Sequence, residues 1–379
     1  MSHDVVISGA GLWRPAHTIT NDELVASYNA WAERWNAEHR DAIAAGELEE
    51  KPYSSAEFIE KASGIKRRYA YVKDGILDID RMRPRIPPRP EDALSHQAEI
   101  ALNAARPALE AAGRLNADGS ARGVDMVIVS CAYTERSYPA IAIEVQHALG
   151  IDGVGFDMLV ACSAATFALQ RAVDAIKAGS ARAVLVVNPE LTSPQVNYCD
   201  RDSHFIFGDV GTAMLVERAD GAAAPRAFEV LGTRARTLYS NNIRSNFGYL
   251  AHVQDVDPFG AANLFHQNGR KVFKEVCPIA AEHLERQVAE LGLRVADVRR
   301  WWLHQANLNM NQLIVRRLLG RDASPAEAPI VLDEFANTAS AGSIIAFCLH
   351  HEDLEPGEHG VICSFGAGYS IGSLVLRRV

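Results

Sequence analysis

The stretch "FDMLVACSAATFALQRAVDAI", Phe156 to Ile176, decides how this chain folds. A short apolar run, 155–161, stops at Ala161-Cys162-Ser163-Ala164-Ala165, and a helical pattern begins at once. The run reads as a buried strand. The pattern over 164–179 reads as a helix closed by Gly179, because glycine readily takes the left-handed conformation at a helix C-terminus. Runs 124–133 and 181–190 are further strands, and 139–150 is an intervening helix ending at Gly150. Strands alternating with helices predict an α/β fold around a largely parallel, buried sheet.

The C-terminal third repeats this plan. A strand end at 299–307 precedes a helix over 310–320 that closes at Gly320. Small residues at 337 then lead into a helix running to 354, a strand over 359–368 enters a glycine turn, and 372–379 is a last strand. The repeat predicts an internal duplication, with halves 1–222 and 223–379 about a pseudo-twofold axis. Cys162 and Asn337 are expected at equivalent points of the two units. Residues 28–92 interrupt the plan as an insertion. It opens with an amphipathic helix carrying Trp31 and Trp35 four apart, hence on one face. It ends in a Pro/Arg loop, 81–92, that cannot be regular structure. A cap over an active site and an inert surface or dimer insertion both fit it.

Bulk properties bound the function. The 379 residues exceed one simple core, and 48% apolar with 22% charged residues is ordinary for a soluble globular protein. A net charge of −9 argues against nucleic acid or an anionic membrane, so an anionic partner must meet a local basic patch. The start "MSHDVVISGAG" lacks a secretory signal, and no apolar run reaches the roughly 18 residues of a membrane span. Six scattered cysteines without a C-x-x-C pair imply a reducing compartment, the cytoplasm, and no structural metal. His350 and His351 read as surface histidines.

Three side chains and one turn carry candidate chemistry. At a helix N-terminus, free N–H groups and the helix dipole lower the pKa of the Cys162 thiol and can hold an oxyanion on an acyl group attached to its sulfur. Taken alone, Cys162 also fits a small core residue, His304 in "WWLHQANLN" a hydrogen-bonded core histidine, and Asn337 in "EFANTASAGS" a helix N-cap. The turn "SFGAGYSIG" (364–372) is a poor dinucleotide fingerprint, since a strand follows it, but it brings backbone N–H groups close to a ligand. Together the set holds a thiol and two neutral donors without a carboxylate. That suits acyl transfer with enolate stabilisation better than hydrolysis.

These residues resemble the thiolase-like condensing enzymes, specifically the β-ketoacyl-acyl-carrier-protein synthases III. The matching stretches are "ACSAATFAL", "FIFGDVGTAML" (205–215), "LHQANLNM", "ANTASAGS", "FGAGYSIGS" and "SGIKRRY" (63–69). The resemblance implies a thiolase-like fold with two duplicated βαβαβ-type halves, layered α-β-α-β-α. It implies a decarboxylative Claisen condensation of an acyl-CoA primer with malonyl-acyl carrier protein, giving a 3-oxoacyl product through an acyl-Cys162 thioester. His304 and Asn337 would stabilise the enolate, and the backbone N–H groups of Cys162 and Ala367 would form the oxyanion hole. A neutral His304 implies a loss of activity at acidic pH. Arg201 and Phe58 would bind CoA, Tyr138 (from the partner subunit of a homodimer) and Phe207 would shape the acyl pocket, and Lys274, Arg316 and Arg317 would dock the carrier protein. No metal or redox cofactor is implied.

The sequence departs from the family at three contact positions. Phe58 stands for a tryptophan, and Ala62 and Asn309 stand for arginines. With the insertion, in which Trp31, Trp35, Arg81, Arg83, Arg85 and Arg89 would reshape the donor entrance, these changes point to a medium-chain acyl donor. Three other readings stay open: a specialised-pathway condensing enzyme acting on CoA-bound substrates, a Cys-His-Asn hydrolase, and a non-catalytic carrier-binding subunit.

Overall fold

Nine strands carry the architecture in the computed structural model, which describes residues 4–224 and 227–379. The first three residues of the start read for a leader lie outside them. The strands are β1 (Val5–Trp13), β2 (Met126–Cys131), β3 (Val154–Leu159), β4 (Ala183–Glu190), β5 (Val210–Arg218), β6 (Phe228–Ser240), β7 (Val298–Leu303), β8 (His359–Gly366) and β9 (Gly368–Arg378). They are hydrogen-bonded in the order β7-β8-β9-β6-β1-β5-β4-β2-β3. The duplication is visible in that order. In each half a parallel pair (β2/β4, β7/β8) is followed by two antiparallel neighbours (β5 then β1, β9 then β6). Among the described residues the sheet joins the halves through two residue pairs, Val6–Glu229 and Ile7–Phe228, and an isolated bridge links Phe207 to Asn337.

The sheet is mixed, not largely parallel as the apolar runs suggest. β2/β3, β2/β4 and β7/β8 are parallel, whereas the other pairs are antiparallel. A strand buried on both faces reads as a continuous apolar run in either arrangement, so the run alone does not reveal direction.

The main helices are α1 (Asn21–Glu38), α2 (Ala56–Ser63), α3 (His96–Ala111), α4 (Ile141–Ala148), α5 (Ala164–Lys177), α6 (Gly269–Glu290), α7 (Leu308–Leu319) and α8 (Gly342–Leu349). Strand alternation sorts the core into three apolar layers. Val184 and Val186 of β4 join Trp302, Ile362, α5 and α8 in a central layer between the halves. Leu185 and Val187 turn the other way, toward α3 and α4. Trp301 and Val361 likewise face α6 and α7. The result is α-β-α-β-α layering. His350 and His351 are half-buried rather than on the surface, and His351 stacks on Phe347 with ring centroids 4.6 Å apart.

The insertion is tied down along its length. Its helix starts earlier than expected, at Asn21, because Thr20 and Glu23 form a reciprocal cap. Trp31 packs beside Tyr28, while Trp35 stacks on His39 and under Lys51, so the two indoles meet different neighbours. Loop 81–92 is irregular, as expected. Arg89 anchors it by donating to His96, Leu94 and Tyr71 and pairing with Glu99.

Helix α3 lies directly on the β1 backbone. A Cβ on Gly11 would stand 2.1 Å from the Ala104 carbonyl oxygen. Gly11→Ala should therefore destabilise the protein by about 1–3 kcal/mol through overpacking, read as a lower urea midpoint at unchanged slope.

Candidate active site

The site is built from two matching turns. In the first half, Ala161 takes φ +45°, residues 161–163 form a tight 3₁₀ turn, and α5 follows at Ala164. In the second half Ala339 takes φ +46°, residues 339–341 form the same turn, and α8 follows at Gly342. Cys162 is therefore matched by Ser340, not by Asn337. The expected equivalence is off by three residues, because both candidates lie in one small-residue stretch and the deciding feature is a backbone angle. Positive φ in two alanines is a strained choice that the surrounding packing must enforce.

Asn337 is 6% exposed and is fixed through its backbone. Its N–H donates to the Ile206 carbonyl at 2.9 Å, and its own carbonyl accepts from the Gly208 N–H at 3.1 Å. Its side-chain Oδ1 accepts from the Ala339 N–H at 3.0 Å. With the oxygen so occupied, the amide is oriented and Nδ2 is left as the donor.

His304 is 1% exposed at the end of β7, and its backbone N–H donates to the Cys363 carbonyl at 2.8 Å. Its Nδ1 is enclosed without a hydrogen-bond partner. A proton on Nδ1 would bury an unpaired donor, so the favoured neutral tautomer carries it on Nε2. Burial pulls the His304 pKa down to about 3, so the ring is neutral throughout the physiological range.

Gly366, at the end of β8, lets the glycine turn close on the cysteine. A Cβ there would lie 2.6 Å from Cys162 Cβ and 3.2 Å from its backbone nitrogen. Cys162, His304, Asn337 and Gly366 all line one cavity of about 560 Å³. Its remaining walls are chiefly apolar, with Phe58, Phe205, Phe207, Phe265 and Phe273 among them. Cys162 keeps a partly exposed side, yet burial followed by the nearby Glu190 charge pushes its thiol up to about 12. This reverses the expectation of a lowered pKa. Loss of water and then the buried Glu190 carboxylate outweigh the lowering effect of the hydrogen bond from its own backbone N–H.

Other expected residues fall into groups. Phe58 and Arg201 meet each other, the guanidinium lying 3.6 Å over the ring, while Arg201 also donates to the Tyr53 carbonyl. Phe207 lines the cavity, packs edge-on against Phe265 and bridges to Asn337. Ala62 and Asn309 line it too. Tyr138 is 85% exposed and outside this cavity. Ala367 caps the turn between β8 and β9, next to the lining residue Gly366. Lys274, Arg316 and Arg317 are exposed on the packed α6–α7 pair, and Arg316 is paired with Asp322. Of the insertion, only Phe58, together with Ala62, Ser63 and Ile65 of the same segment, reaches the cavity. Trp31, Trp35 and the loop arginines do not, which corrects the expectation that they shape the entrance. Arg270 on the cavity wall and the Glu190–Ser340 pair escaped the sequence reading. A lone glutamate closing the apolar run "AVLVVNPE" was the available signal for the latter.

The comparisons agree with this geometry. The profile for 3-oxoacyl-[acyl-carrier-protein] synthase III matches residues 156–235, and its C-terminal counterpart matches 288–378. A β-ketodecanoyl-[acyl-carrier-protein] synthase of Pseudomonas aeruginosa is 54% identical over 352 residues, covering 93% of this chain and 99% of that protein. The chain belongs to the 3-oxoacyl-[acyl-carrier-protein] synthase III family. A β-ketoacyl-[acyl-carrier-protein] synthase III of Erythrobacter litoralis is 26% identical over 98% of both chains. In fold, the chain matches the crystal structure of the Pseudomonas aeruginosa synthase III with a TM-score of 0.74 at 22% identity, covering 99% and 98% of the two chains. It also matches the priming β-ketosynthase of the R1128 polyketide pathway, with a TM-score of 0.76 at 24% identity over 99% and 96%. As a member of this family it is a thiolase-like acyltransferase that condenses an acyl-CoA with malonyl-acyl carrier protein in fatty acid synthesis. The hydrolase and non-catalytic readings fall with that finding.

Two outcomes follow for the titrating groups. Iodoacetamide should alkylate Cys162 faster by about tenfold per pH unit from pH 7 to 10, since only the thiolate reacts and its pKa is raised. A plateau below pH 9, followed by intact mass, would contradict the buried thiol. The family expectation of an acid limb from His304 is also revised. Because that pKa is lowered, the neutral donor persists down to about pH 3. Release of ¹⁴CO₂ from malonyl-acyl carrier protein should show no histidine-like loss between pH 7 and 5.

Proposed function

We propose that Cys162 carries the acyl group and that His304 Nε2 and Asn337 Nδ2 bind the malonyl thioester carbonyl. One observation carries the reading: all three line a single, mostly apolar cavity, and each of the two donors has its other polar atom enclosed or engaged. In loading, the Cys162 sulfur attacks the acyl-CoA carbonyl and the thiol proton leaves with the departing CoA sulfur. In condensation, malonyl loses CO₂, and its electron pair becomes an enolate held by the two donors. The enolate carbon attacks the acyl-Cys162 carbonyl, whose oxygen is held by the N–H groups of Cys162 and Ala367. Collapse releases 3-oxoacyl carrier protein and the Cys162 thiolate, which takes a proton from water. Neutral donors suit this step. They strengthen as charge develops on the oxygen, and no charged group must be buried beforehand.

The primer is a medium-chain acyl group. The P. aeruginosa relative is named for a β-ketodecanoyl product. Ten carbons less the two from malonyl leave an octanoyl primer, and the phenylalanine-rich walls suit such a chain. The CoA base is taken up by Phe58 and Arg201, which must part from their 3.6 Å contact to admit a ring between them. Carrier protein docks on Lys274, Arg316 and Arg317, with Arg270 at the cavity, where local positive charge offsets the net −9. The working unit is a homodimer. β3 ends the sheet with Val154 and Leu159 more than half exposed, beside Ile143 and Tyr138, and an open apolar edge needs a cover. A second copy supplies it, with Tyr138 reaching the partner's pocket. The reaction uses no metal or redox cofactor and takes place in the cytoplasm, in keeping with six unpaired cysteines and with helices too short or polar to cross a membrane among the described residues.

A panel of acyl-CoAs tests this by intact mass. Octanoyl-CoA should load one acyl group faster than acetyl-CoA, and Cys162→Ala should load none. A chase with malonyl-acyl carrier protein should discharge it, and malonyl-CoA should not. Faster acetyl loading would refute the chain-length assignment. Acylation of the alanine variant would refute the nucleophile.

A further inference from the structure

Among the described residues, Glu190 is a buried carboxylate whose three donors come from both halves of the molecule, one of them the turn that packs against the Cys162 turn. It closes β4 and is 1% exposed. Oε2 accepts from the Ala132 N–H, just past β2, at 3.1 Å. Oε1 accepts from the Ser340 N–H at 3.0 Å and from the Ser340 hydroxyl. Among the described residues no cation pairs with it. Ser340 is the counterpart of Cys162 in the second turn, and the same turn supplies the Ala339 N–H that orients the Asn337 amide. A carboxylate buried at this seam without a counter-charge is costly, and its role is not needed by the acyl-transfer steps above.

We propose that Glu190 is a positioning residue that locks the Asn337–Ser340 turn onto the first half, and that its charge restrains the reactivity of Cys162. The lock follows from topology. The Phe207 bridge fixes the Asn337 backbone to the first half, and the rest of its turn, which carries Ser340, needs a fixed point of its own close to the chemistry. Glu190 is that point, because one side chain joins the end of β4, the end of β2 and the second turn. The restraint follows from packing and low dielectric, since the 161–163 turn that carries Cys162 lies against the 339–341 turn that Glu190 holds. The titratable groups around the carboxylate are Cys162, Cys131, Tyr133 and Asp209, each of which is neutral or negative, so none offsets its charge. Burial raises Glu190 to about 7, against the lowering effect of its three donors, so near neutral pH its charge is adjustable. Entry of the acyl donor can thus meet an unreactive thiol rather than a standing thiolate open to oxidation.

The proposal rests on acyl-Cys162 chemistry only in its second half, and the test separates the two. In E190Q the volume is kept and the charge removed. The iodoacetamide profile of Cys162 should move to lower pH by about one unit, giving about tenfold faster alkylation at pH 8. In Ser340→Ala, decarboxylation of malonyl-acyl carrier protein should fall at least severalfold through kcat, with the alkylation profile still above that of a free thiol. An unchanged profile in a folded E190Q protein overturns the restraint. Unchanged decarboxylation in Ser340→Ala overturns the lock. If E190Q fails to fold by its thermal midpoint, E190D serves. It keeps the charge but shortens the arm, so decarboxylation should drop while alkylation stays slow. Faster alkylation with the charge retained also overturns the proposal. Alkylation does not depend on turnover, so an error in the assigned substrate leaves that readout intact.

Discussion

The site depends on one close approach: the Gly366 backbone lies against Cys162 at the seam between two halves. Anything larger than glycine would drive the turn away from the sulfur. That contact needs strands β8 and β9 from one half and the β3–α5 junction from the other to arrive in register. The central layer supplies it, since α5 and α8 both pack into it and the tight turns that precede them lie against each other. The duplication thus brings Cys162 of one half and Asn337 of the other to one cavity. Burying that seam has an electrostatic consequence. Charges are expensive there, so the working groups are held in neutral forms: thiol, imidazole and carboxamide. Such a set cannot activate water well, but it suits an enolate, whose charge exists only while the substrate is reacting.

Much of the local structure was legible because its periodicity is strong. The junction at Cys162 stands between a clear strand and a clear helix, and Gly150, Gly179 and Gly320 do take positive φ after their helices. Legibility failed where the deciding quantity is not periodic. The direction of a buried strand leaves no mark in its composition. The match of Cys162 with Ser340 is set by the φ angles of Ala161 and Ala339, which alanine does not advertise. The sign of the thiol shift is hidden in the sequence, because a helix start is visible there while the burial of the sulfur and the charge of Glu190 are tertiary facts. Cys162, His304 and Asn337 stand in three separate motifs, none decisive alone, and the fold brings them to one cavity. Nothing about Phe58 or Arg201 in the sequence says that they stack on each other.

The insertion bears on the site mostly from outside, since only Phe58, Ala62, Ser63 and Ile65 of it line the cavity. Tyr28 of α1 stacks on His204 with ring centroids 4.8 Å apart, and its hydroxyl donates to the Pro52 carbonyl. Arg68, buried and without a carboxylate among its hydrogen-bond partners, donates to the Ile19 carbonyl, the Asn21 side chain and the Phe205 carbonyl. The next residues of that wall, Ile206 and Gly208, are the ones that grip the Asn337 backbone. A line of contacts therefore runs from α1 through Arg68 and residues 204–208 to the donor amide. The same residues, Phe205, Ile206 and Phe207, line the cavity. The wall that lines the cavity and the backbone that holds Asn337 are therefore one unit. Asn21 and Tyr28 of α1 brace this wall from behind, whereas Trp35 and Arg89 make their contacts elsewhere, with His39 and Lys51 and with the start of α3.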